Sequence, residues 1–158
     1  MDADEIIRTL QLAPHPEGGW YREVYRSQRR IVAEGAARSA LTSIYYLLEQ
    51  GQISRWHTVD ADEAWHFYWG APLALFTYEP QTRVLERHRL EAPTASVHVV
   101  PAGLWQAART LGAYSLVGCS VAPGFEFAGF RFVASLPGHE ADIAVAPEAQ
   151  RAQLLELL

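Results

Sequence analysis

The chain has 158 residues, of which 49% are hydrophobic and 20% charged, and its formal net charge is −5. These values are typical of an ordinary folded protein of one domain, so residues 1–158 are predicted to form a single domain. The acidic, unclustered charge argues against nucleic acid or an anionic membrane as a partner, and no apolar run approaches the roughly 18 residues that span a bilayer. The acidic start MDADEIIRTL is unlike a signal peptide, and the single Cys119 excludes an intramolecular disulfide. These features predict a cytoplasmic protein.

The predicted elements begin with a short helix over 4–11, because apolar residues recur there at helical spacing. The prolines and glycines of APHPEGG then predict a loop. From Trp20 onward, short aromatic and β-branched runs alternate with turn residues, which is typical of strands. Strands are predicted over 20–26, 41–48, 54–59, 64–69, 73–79, 83–90, 97–100, 104–109, 114–120 and 130–133. Residues 33–40, AEGAARSA, are predicted to be a mobile loop, and a helix is predicted over 147–158.

About ten short strands without intervening helices indicate an antiparallel sandwich or barrel rather than a parallel sheet with crossover helices. The predicted fold class is therefore all-β, with short N- and C-terminal helices.

The segment GQISRWHTVDADEAWHFYWG, residues 51–70, concentrates histidine, acidic and tryptophan residues between two glycines. Its pattern predicts a hairpin with strands over 54–59 and 63–69. Side chains alternate between the two faces of a strand, so His57 and Glu63 would meet inside the barrel if both face inward. A buried imidazole and carboxylate titrate as a coupled pair, which is usual in acid–base sites.

The same segment resembles the first sequence motif of the cupin superfamily, with Gly51, His57, Glu63 and Gly70 at the motif's spacing. VPAGLWQ resembles the second motif, with Gln106 in place of its histidine. Together with LAPHPEGGWYREVYRS, TSIYYLL and GCSVAPGFEFAGFRF, these segments are similar to a small cupin subfamily that begins with an HPEGG loop. The resemblance covers nearly all of residues 10–133. It implies a jelly-roll barrel (a double-stranded β-helix), usually dimeric, similar in fold to epimerases of nucleotide-linked sugars.

Metal-binding cupins hold a divalent ion with three histidines and one glutamate, so the resemblance raises the question of a metal site. The candidate ligands here are His57, Glu63 and, as a weak amide donor, Gln106, whereas Val59 replaces the second histidine of the motif. Two strong ligands of four hold a transition metal loosely. We therefore expect no bound cofactor, with a divalent metal as the alternative.

Acid–base catalysis on a small molecule is the first functional hypothesis, because epimerases of this fold use a histidine base. His57 is predicted to be the base, since an ordinary imidazole titrates near neutrality, and Glu63 its partner or the acid. Gln106 is predicted to hydrogen-bond the ligand, and Trp65 and Phe67 to line the cavity and stack on it. Two alternatives stay open: a non-catalytic ligand-binding or sensor module, and a metal-dependent cupin enzyme with an incomplete ligand set.

The remaining conspicuous residues have structural interpretations. Trp56 and Trp105 are turned away from the cavity by strand alternation, which predicts a place in the core or at a dimer contact. Glu17, in the HPEGG loop, either closes over the barrel mouth or belongs to a turn that precedes the first strand, and the turn is favoured. We also predict a homodimer, formed by sheet packing or by exchange of an N-terminal strand.

Overall fold

The computed structural model describes residues 1–33 and 35–158. The strands are β1 (Ala13–Pro14), β2 (Trp20–Arg26), β3 (Arg30–Ala33), β4 (Ala36–Ser39), β5 (Thr42–Glu49), β6 (Ile53–Val59), β7 (Asp62–Gly70), β8 (Leu73–Glu79), β9 (Val84–Leu90), β10 (Val97–Val100), β11 (Trp105–Thr110), β12 (Tyr114–Ala122) and β13 (Phe130–Phe132). The α-helices are α1 (Ala3–Leu10), α2 (His139–Ala144) and α3 (Glu148–Glu156), and short 3₁₀ helices span Phe127–Gly129 and Val133–Ser135.

Two antiparallel sheets face each other. The first has the strand order β1-β2-β5-β12-β7-β10, the second has the order β13-β6-β11-β8-β9, and β3 and β4 form a separate hairpin. From β5 onward the chain crosses repeatedly between the two sheets, as in a jelly roll. The predicted all-β jelly-roll fold with helices near both ends is confirmed.

The core lies between the sheets and is built from apolar side chains on their inner faces. Its buried members are Tyr46, Leu48, Trp65, Leu73, Leu75, Leu90, Val100, Ala108, Val117 and Cys119. On the outer face of the second sheet, Trp56 and Trp105 pack with Leu154 and Leu157 from the C-terminal segment. On the outer face of the first sheet, Ile6 of α1 packs against buried Leu47. The helices thus cover apolar sheet surface that would otherwise contact water.

The predicted hairpin over 51–70 is wrong, although its two strands exist. β6 pairs with β11 and β13 in the second sheet, whereas β7 pairs with β10 and β12 in the first. The turn between them therefore carries the chain across the sandwich. Arg38 holds this turn, because its guanidinium donates two hydrogen bonds to the carboxylate of Asp60, at 3.0 and 3.1 Å. The side chains of β6 and β7 consequently approach the interior from opposite sheets.

The loop predicted over 33–40 is also wrong in part. β4 lies within it and pairs with β3 in register, with Arg30 opposite Ser39. Glu34, which belongs to the same prediction, lies outside the described residues. The APHPEGG loop likewise contains the two-residue strand β1, which pairs with the start of β2. None of the helices in the described part of the chain is long and apolar enough to cross a bilayer.

Candidate functional site

A cavity of about 310 Å³ lies inside the sandwich, next to the packed core. Its buried part is formed by polar side chains, chiefly Glu17, His57 and Glu63, together with the Cys119 thiol. Its walls are apolar and include Ile44, Val59, Val121 and Phe130, and the ring of Phe130 stacks on that of His57 with 5.1 Å between centroids. Ionisable groups in an enclosed, largely apolar cavity are a common arrangement for small-molecule sites.

β6 brings two polar residues to the carboxylate of Glu17 because a β-bulge interrupts its pairing with β11. Gln106 lies opposite His57 and Ala108 opposite Ser54, so three residue steps on β6 match two on β11. The extra residue changes the alternation of side chains along the strand. Ser54 and His57, three residues apart, therefore both contact the carboxylate of Glu17.

Glu17 comes from the loop between β1 and β2. Its backbone carbonyl accepts a hydrogen bond from the Arg55 amide at 3.1 Å. The next residue, Gly18, has φ +114°, and a Cβ there would collide with the carbonyl of Ile53. Only glycine suits both the conformation and the close approach. The loop is held against the start of β6, and it points the 6% exposed Glu17 side chain into the cavity.

Both ring nitrogens of His57 have partners. Nδ1 lies 2.7 Å from the carbonyl oxygen of Arg55, which can only accept, so Nδ1 carries a hydrogen. Nε2 lies 3.3 Å from Oε2 of Glu17. The other oxygen of Glu17, Oε1, accepts from the hydroxyl of Ser54 at 2.8 Å. His57 and Glu17 therefore form a buried, closely spaced pair.

His15, from the same loop as Glu17, is a third group at this end of the cavity. Its Nδ1 lies 3.8 Å from Oε2 of Glu17, and its ring packs edge-on against Tyr21 and Tyr46. Burial lowers the pKa of His15 below its usual value, although Glu17 opposes the shift. His15 is therefore predominantly neutral at neutral pH and does not compensate the charge of Glu17.

Glu63 reaches the cavity from β7, in the opposite sheet. Its Oε2 accepts a hydrogen bond from Nε2 of Gln106 at 2.7 Å, and the Gln106 oxygen accepts from the indole of Trp65 at 2.9 Å. The indole nitrogen can only donate, so the Gln106 amide has one orientation, with its NH₂ group towards Glu63. Burial raises the pKa of Glu63 to about 7, while the nearby His57 opposes the shift. Glu63 is therefore a carboxyl group that keeps a proton close to neutral pH.

The mouth of the cavity carries both charge signs. Arg26 pairs with Glu23 at 2.8 Å and with Glu126 at 3.3 Å, so its charge is compensated locally. Arg22 makes a longer hydrogen bond, of 3.4 Å, to the side chain of Gln11. The exposed ring of Phe127 borders the same opening. A ligand entering here passes an aromatic and charged rim before it reaches the buried carboxyl groups.

The structure brings together two of the five predicted site residues. His57 and Glu63 both line the cavity, as expected from their predicted inward direction. Trp65 and Phe67 do not line the cavity. They pack in the part of the sandwich interior that is filled by side chains, next to the hollow part that forms the cavity. Gln106 is also buried behind the wall, and both ends of its amide are occupied by Trp65 and Glu63. Trp65 and Gln106 therefore support Glu63 from behind.

Sequence reasoning missed the parts of the site that depend on tertiary contacts. Glu17 lies 40 positions before His57, and the sequence favoured a simple turn for its loop, which it also is. Ser54 contacts Glu17 together with His57 because of the bulge in β6. One sequence feature could have indicated Glu17: it is a charged residue directly before two glycines. Glycines are common where the backbone of a loop packs closely against another segment.

The residues present do not fit the metal site implied by the resemblance. Val59 offers no ligand atom, the Gln106 oxygen is taken by the Trp65 indole, and Nε2 of His57 faces Glu17. Across residues 1–33 and 35–158, no group of three or more His, Cys, Asp or Glu side chains is arranged to hold a metal ion. The chemistry of this site is therefore derived from its side chains alone.

Comparison with known sequences and structures places this geometry in a family. A sequence model described as cupin superfamily (DUF985) matches residues 4–133. A hypothetical protein from Leishmania major is 33% identical, with a TM-score of 0.79 and coverage of 91% of this chain and 97% of that one. A protein from Shewanella oneidensis is also 33% identical, with a TM-score of 0.84 and coverage of 99% and 97%.

More distant structures share the fold alone. Oxalate decarboxylase from Bacillus subtilis is 15% identical, with a TM-score of 0.59 over 92% of this chain and 36% of that protein. The search of curated proteins found no match.

Proposed function

Since the chain belongs to the cupin superfamily, in the family described as DUF985, we propose that it binds a small, sugar-like carbonyl compound in its cavity and isomerises or epimerises it. The pair formed by His57 and Glu17 supplies the base, and Glu63 supplies the acid. The observation that carries the proposal is that Glu63 and His57 line the same cavity, where burial raises the pKa of Glu63 to about 7. A proton donor and a proton acceptor that share one largely apolar cavity are the components that such a reaction needs.

The reaction follows from the placement of the two groups. The base removes a proton from the carbon next to a carbonyl, and the C–H electrons form a carbon–carbon double bond. Glu63 gives its proton to the carbonyl oxygen, so an enediol forms. Return of a proton to carbon, on the other face or at the neighbouring carbon, gives the epimer or the isomer. The apolar walls limit the access of water to this intermediate.

Trp65 and Gln106 support this proposal without contacting the ligand. The indole fixes the Gln106 amide, and the amide fixes one oxygen of Glu63. Cys119 lines the same cavity, and burial raises the pKa of its thiol well above the usual value, so it stays a thiol. The contacts of Gln106 and Trp65 therefore hold the Glu63 carboxyl group in place within the cavity.

The test is exchange of substrate hydrogen with solvent. The protein is incubated in D₂O with a panel of aldoses, ketoses and nucleotide-linked sugars, and ¹H NMR follows the signal of the hydrogen next to the carbonyl. We expect loss of that signal for at least one compound, and a Glu63→Gln variant that exchanges it at least 100-fold more slowly. The matched control is Glu148→Gln, at an exposed position far along the chain. Exchange at the wild-type rate in Glu63→Gln would contradict the proposal.

A non-catalytic ligand-binding or sensor module is the second candidate. It is favoured by the same contacts that occupy both ring nitrogens of His57, at 2.7 Å and 3.3 Å, since a base needs a free acceptor atom. This candidate predicts that a compound of the panel raises the melting temperature without any deuterium exchange. The two candidates are therefore separated by running both measurements on the same compounds.

We propose that the chain forms a homodimer through the uncovered part of the first sheet's outer face. Val97 and Val99 of β10 are about half exposed there, beside Tyr68 of β7, whose hydroxyl packs over Gly118. An exposed apolar sheet surface of this kind favours association. Light scattering should give twice the chain mass for the wild type and the chain mass for a Val97→Asp, Val99→Asp double variant. A monomeric wild type would contradict the proposed homodimer. The cytoplasmic location expected from the sequence stays a prediction.

A further inference from the structure

We propose that Glu17 presents the proton-accepting atom to the ligand and that His57 is a positioning residue which holds this carboxylate. The inference rests on the proposed acid–base function and assigns the base to a specific side chain of the HPEGG loop. It follows from the hydrogen-bond capacity of the two groups.

His57 has no acceptor atom left for a ligand. Its Nδ1 donates to the carbonyl of Arg55, and this 2.7 Å contact fixes which nitrogen carries the hydrogen. Its Nε2 is directed at Glu17, 3.3 Å away. On the ring face, Phe130 stacks at 5.1 Å and excludes a polar partner. The imidazole could serve as a base towards a ligand only by breaking its contact with Glu17.

Glu17, by contrast, has spare acceptor capacity on the cavity side. A carboxylate offers about four lone-pair positions. One is used by the hydroxyl of Ser54 on Oε1, and Nε2 of His57 makes an ion-pair contact of 3.3 Å with Oε2. The side chain lines the cavity, so the remaining positions are available to a ligand there. Glu17 can therefore accept a proton while it keeps both contacts.

The loop geometry supports a fixed position for this carboxylate. The backbone of Glu17 is bonded to β6 through Arg55, and the next carbonyl, of Gly18, accepts from the hydroxyl of Tyr46 at 2.6 Å. These backbone bonds, together with the Ser54 hydrogen bond and the His57 contact of the side chain, leave Glu17 little freedom. Fixed geometry of this kind is what efficient proton transfer requires.

The proton transfer balances with the two carboxyl groups that line the cavity. The carboxylate of Glu17 takes a proton from the carbon next to the carbonyl, and the electron pair of that C–H bond forms the double bond of an enediol. The carbonyl oxygen receives the proton of Glu63. Glu17 then returns its proton to the former carbonyl carbon, and Glu63 regains a proton from the hydroxyl on the carbon that was deprotonated. That carbon becomes the new carbonyl, so the isomer forms, no electrons are lost and no co-reactant is needed.

The first arm of the test examines His57 directly and needs no ligand. ¹⁵N NMR of the labelled full-length chain reports which ring nitrogen carries hydrogen in each of the six histidines, and the His57→Gln variant assigns the signals of His57. We expect Nδ1 of His57 to be protonated throughout pH 6–9. A neutral ring with its hydrogen on Nε2 would free Nδ1 as a base and overturn the assignment to Glu17.

The second arm compares variants in the deuterium exchange assay. Glu17→Gln removes the proposed base, whereas His57→Gln keeps an amide N–H close to the place of Nε2, where it can donate to Glu17. We expect a loss of 100-fold or more for Glu17→Gln and a His57→Gln rate at least ten times that of Glu17→Gln. His66→Gln, on the far face of β7 and outside the cavity lining, is the matched control and should exchange at the wild-type rate.

The outcomes distinguish the assignment of Glu17 as the base from the proposed acid–base function itself. A His57→Gln rate less than ten times that of Glu17→Gln overturns the role of Glu17 while the acid–base function stands. Absence of exchange in the wild type, with every compound of the panel, overturns the proposed function and this assignment with it. Circular dichroism and melting temperature on each variant establish that the compared proteins are folded.

Discussion

Replacement of Glu63 by glutamine isolates the free energy that ionising a carboxyl group costs inside the cavity. The side chain is buried, and burial raises its pKa from 4.5 to about 7. Each pKa unit corresponds to about 1.4 kcal/mol between the two protonation states, so the ionised form destabilises the fold by about 3 kcal/mol. Glutamine has nearly the same shape as the protonated carboxyl group and cannot ionise.

The sign of the pH dependence follows from the direction of the shift. Below pH 4.5 Glu63 is protonated in both the folded and the unfolded chain, and its stabilising contribution is fully present. As the pH rises through 4.5 the unfolded chain loses this proton, whereas the folded chain keeps it until the pH passes about 7. The free energy of unfolding of the wild type therefore falls across this window and levels off above it.

The assay is urea denaturation of the wild type and Glu63→Gln at half-unit steps from pH 4.5 to 8.5. We expect the variant to gain about 3 kcal/mol relative to the wild type between the two ends of this range. Glu148→Gln, at an exposed position, serves as the matched control and should give a curve parallel to that of the wild type. Parallel curves for Glu63→Gln and wild type would refute the reasoning, because they would mean that this carboxyl group titrates as it does in water.

Three further predictions concern the turn, the loop and the metal. Arg38→Ala should lower the free energy of unfolding by roughly 2–4 kcal/mol in urea denaturation, because it leaves the Gly124 carbonyl and Asp60 without their donor. The control Arg89→Ala, at an exposed position, should leave the free energy of unfolding unchanged. Equal losses in the two variants would contradict a stabilising role for Arg38 at the turn between β6 and β7. Gly51→Ala should destabilise the fold by about 1–2 kcal/mol, because Gly51 has a positive φ. Gly18→Ala should destabilise it by more, because Gly18 also has a positive φ and its added Cβ would collide with the backbone carbonyl of Ile53. Equal melting temperatures of the two variants would show that the loop carrying Glu17 is not held against β6. Elemental analysis of protein purified without chelators should find well below one metal ion per chain, and a stoichiometric metal would contradict the donor-set argument.

The strands were predictable because their signals are local. Runs such as TSIYYLL and WHFYW combine β-branched and aromatic residues between turn residues, and Tyr46, Leu48 and Trp65 in them are buried. The hairpin of β3 and β4 escaped prediction because AEGAARSA has small, polar residues with little strand preference. The cupin resemblance could be recognised because its motifs lie in separate segments in a set order, and the match of the family model over residues 4–133 confirms it.

The site was predictable only where strand direction sufficed. Inward alternation placed His57 and Glu63 in the same cavity, but no local pattern showed that β6 and β7 belong to different sheets. Alternation also favoured Trp65 and Phe67 as cavity walls, because it distinguishes inside from outside and not a packed interior from a hollow one. Glu17 depends on a contact between a loop and a strand 40 residues later, which is visible only after folding.

The most direct test of the account is a ¹³C NMR titration of the glutamate carboxyl groups, with the signal of Glu63 assigned from the Glu63→Gln variant. The account predicts that this one carboxyl group titrates near pH 7. Titration of the Glu63 signal close to pH 4.5, as for a carboxyl group in water, would contradict a buried proton donor in the cavity.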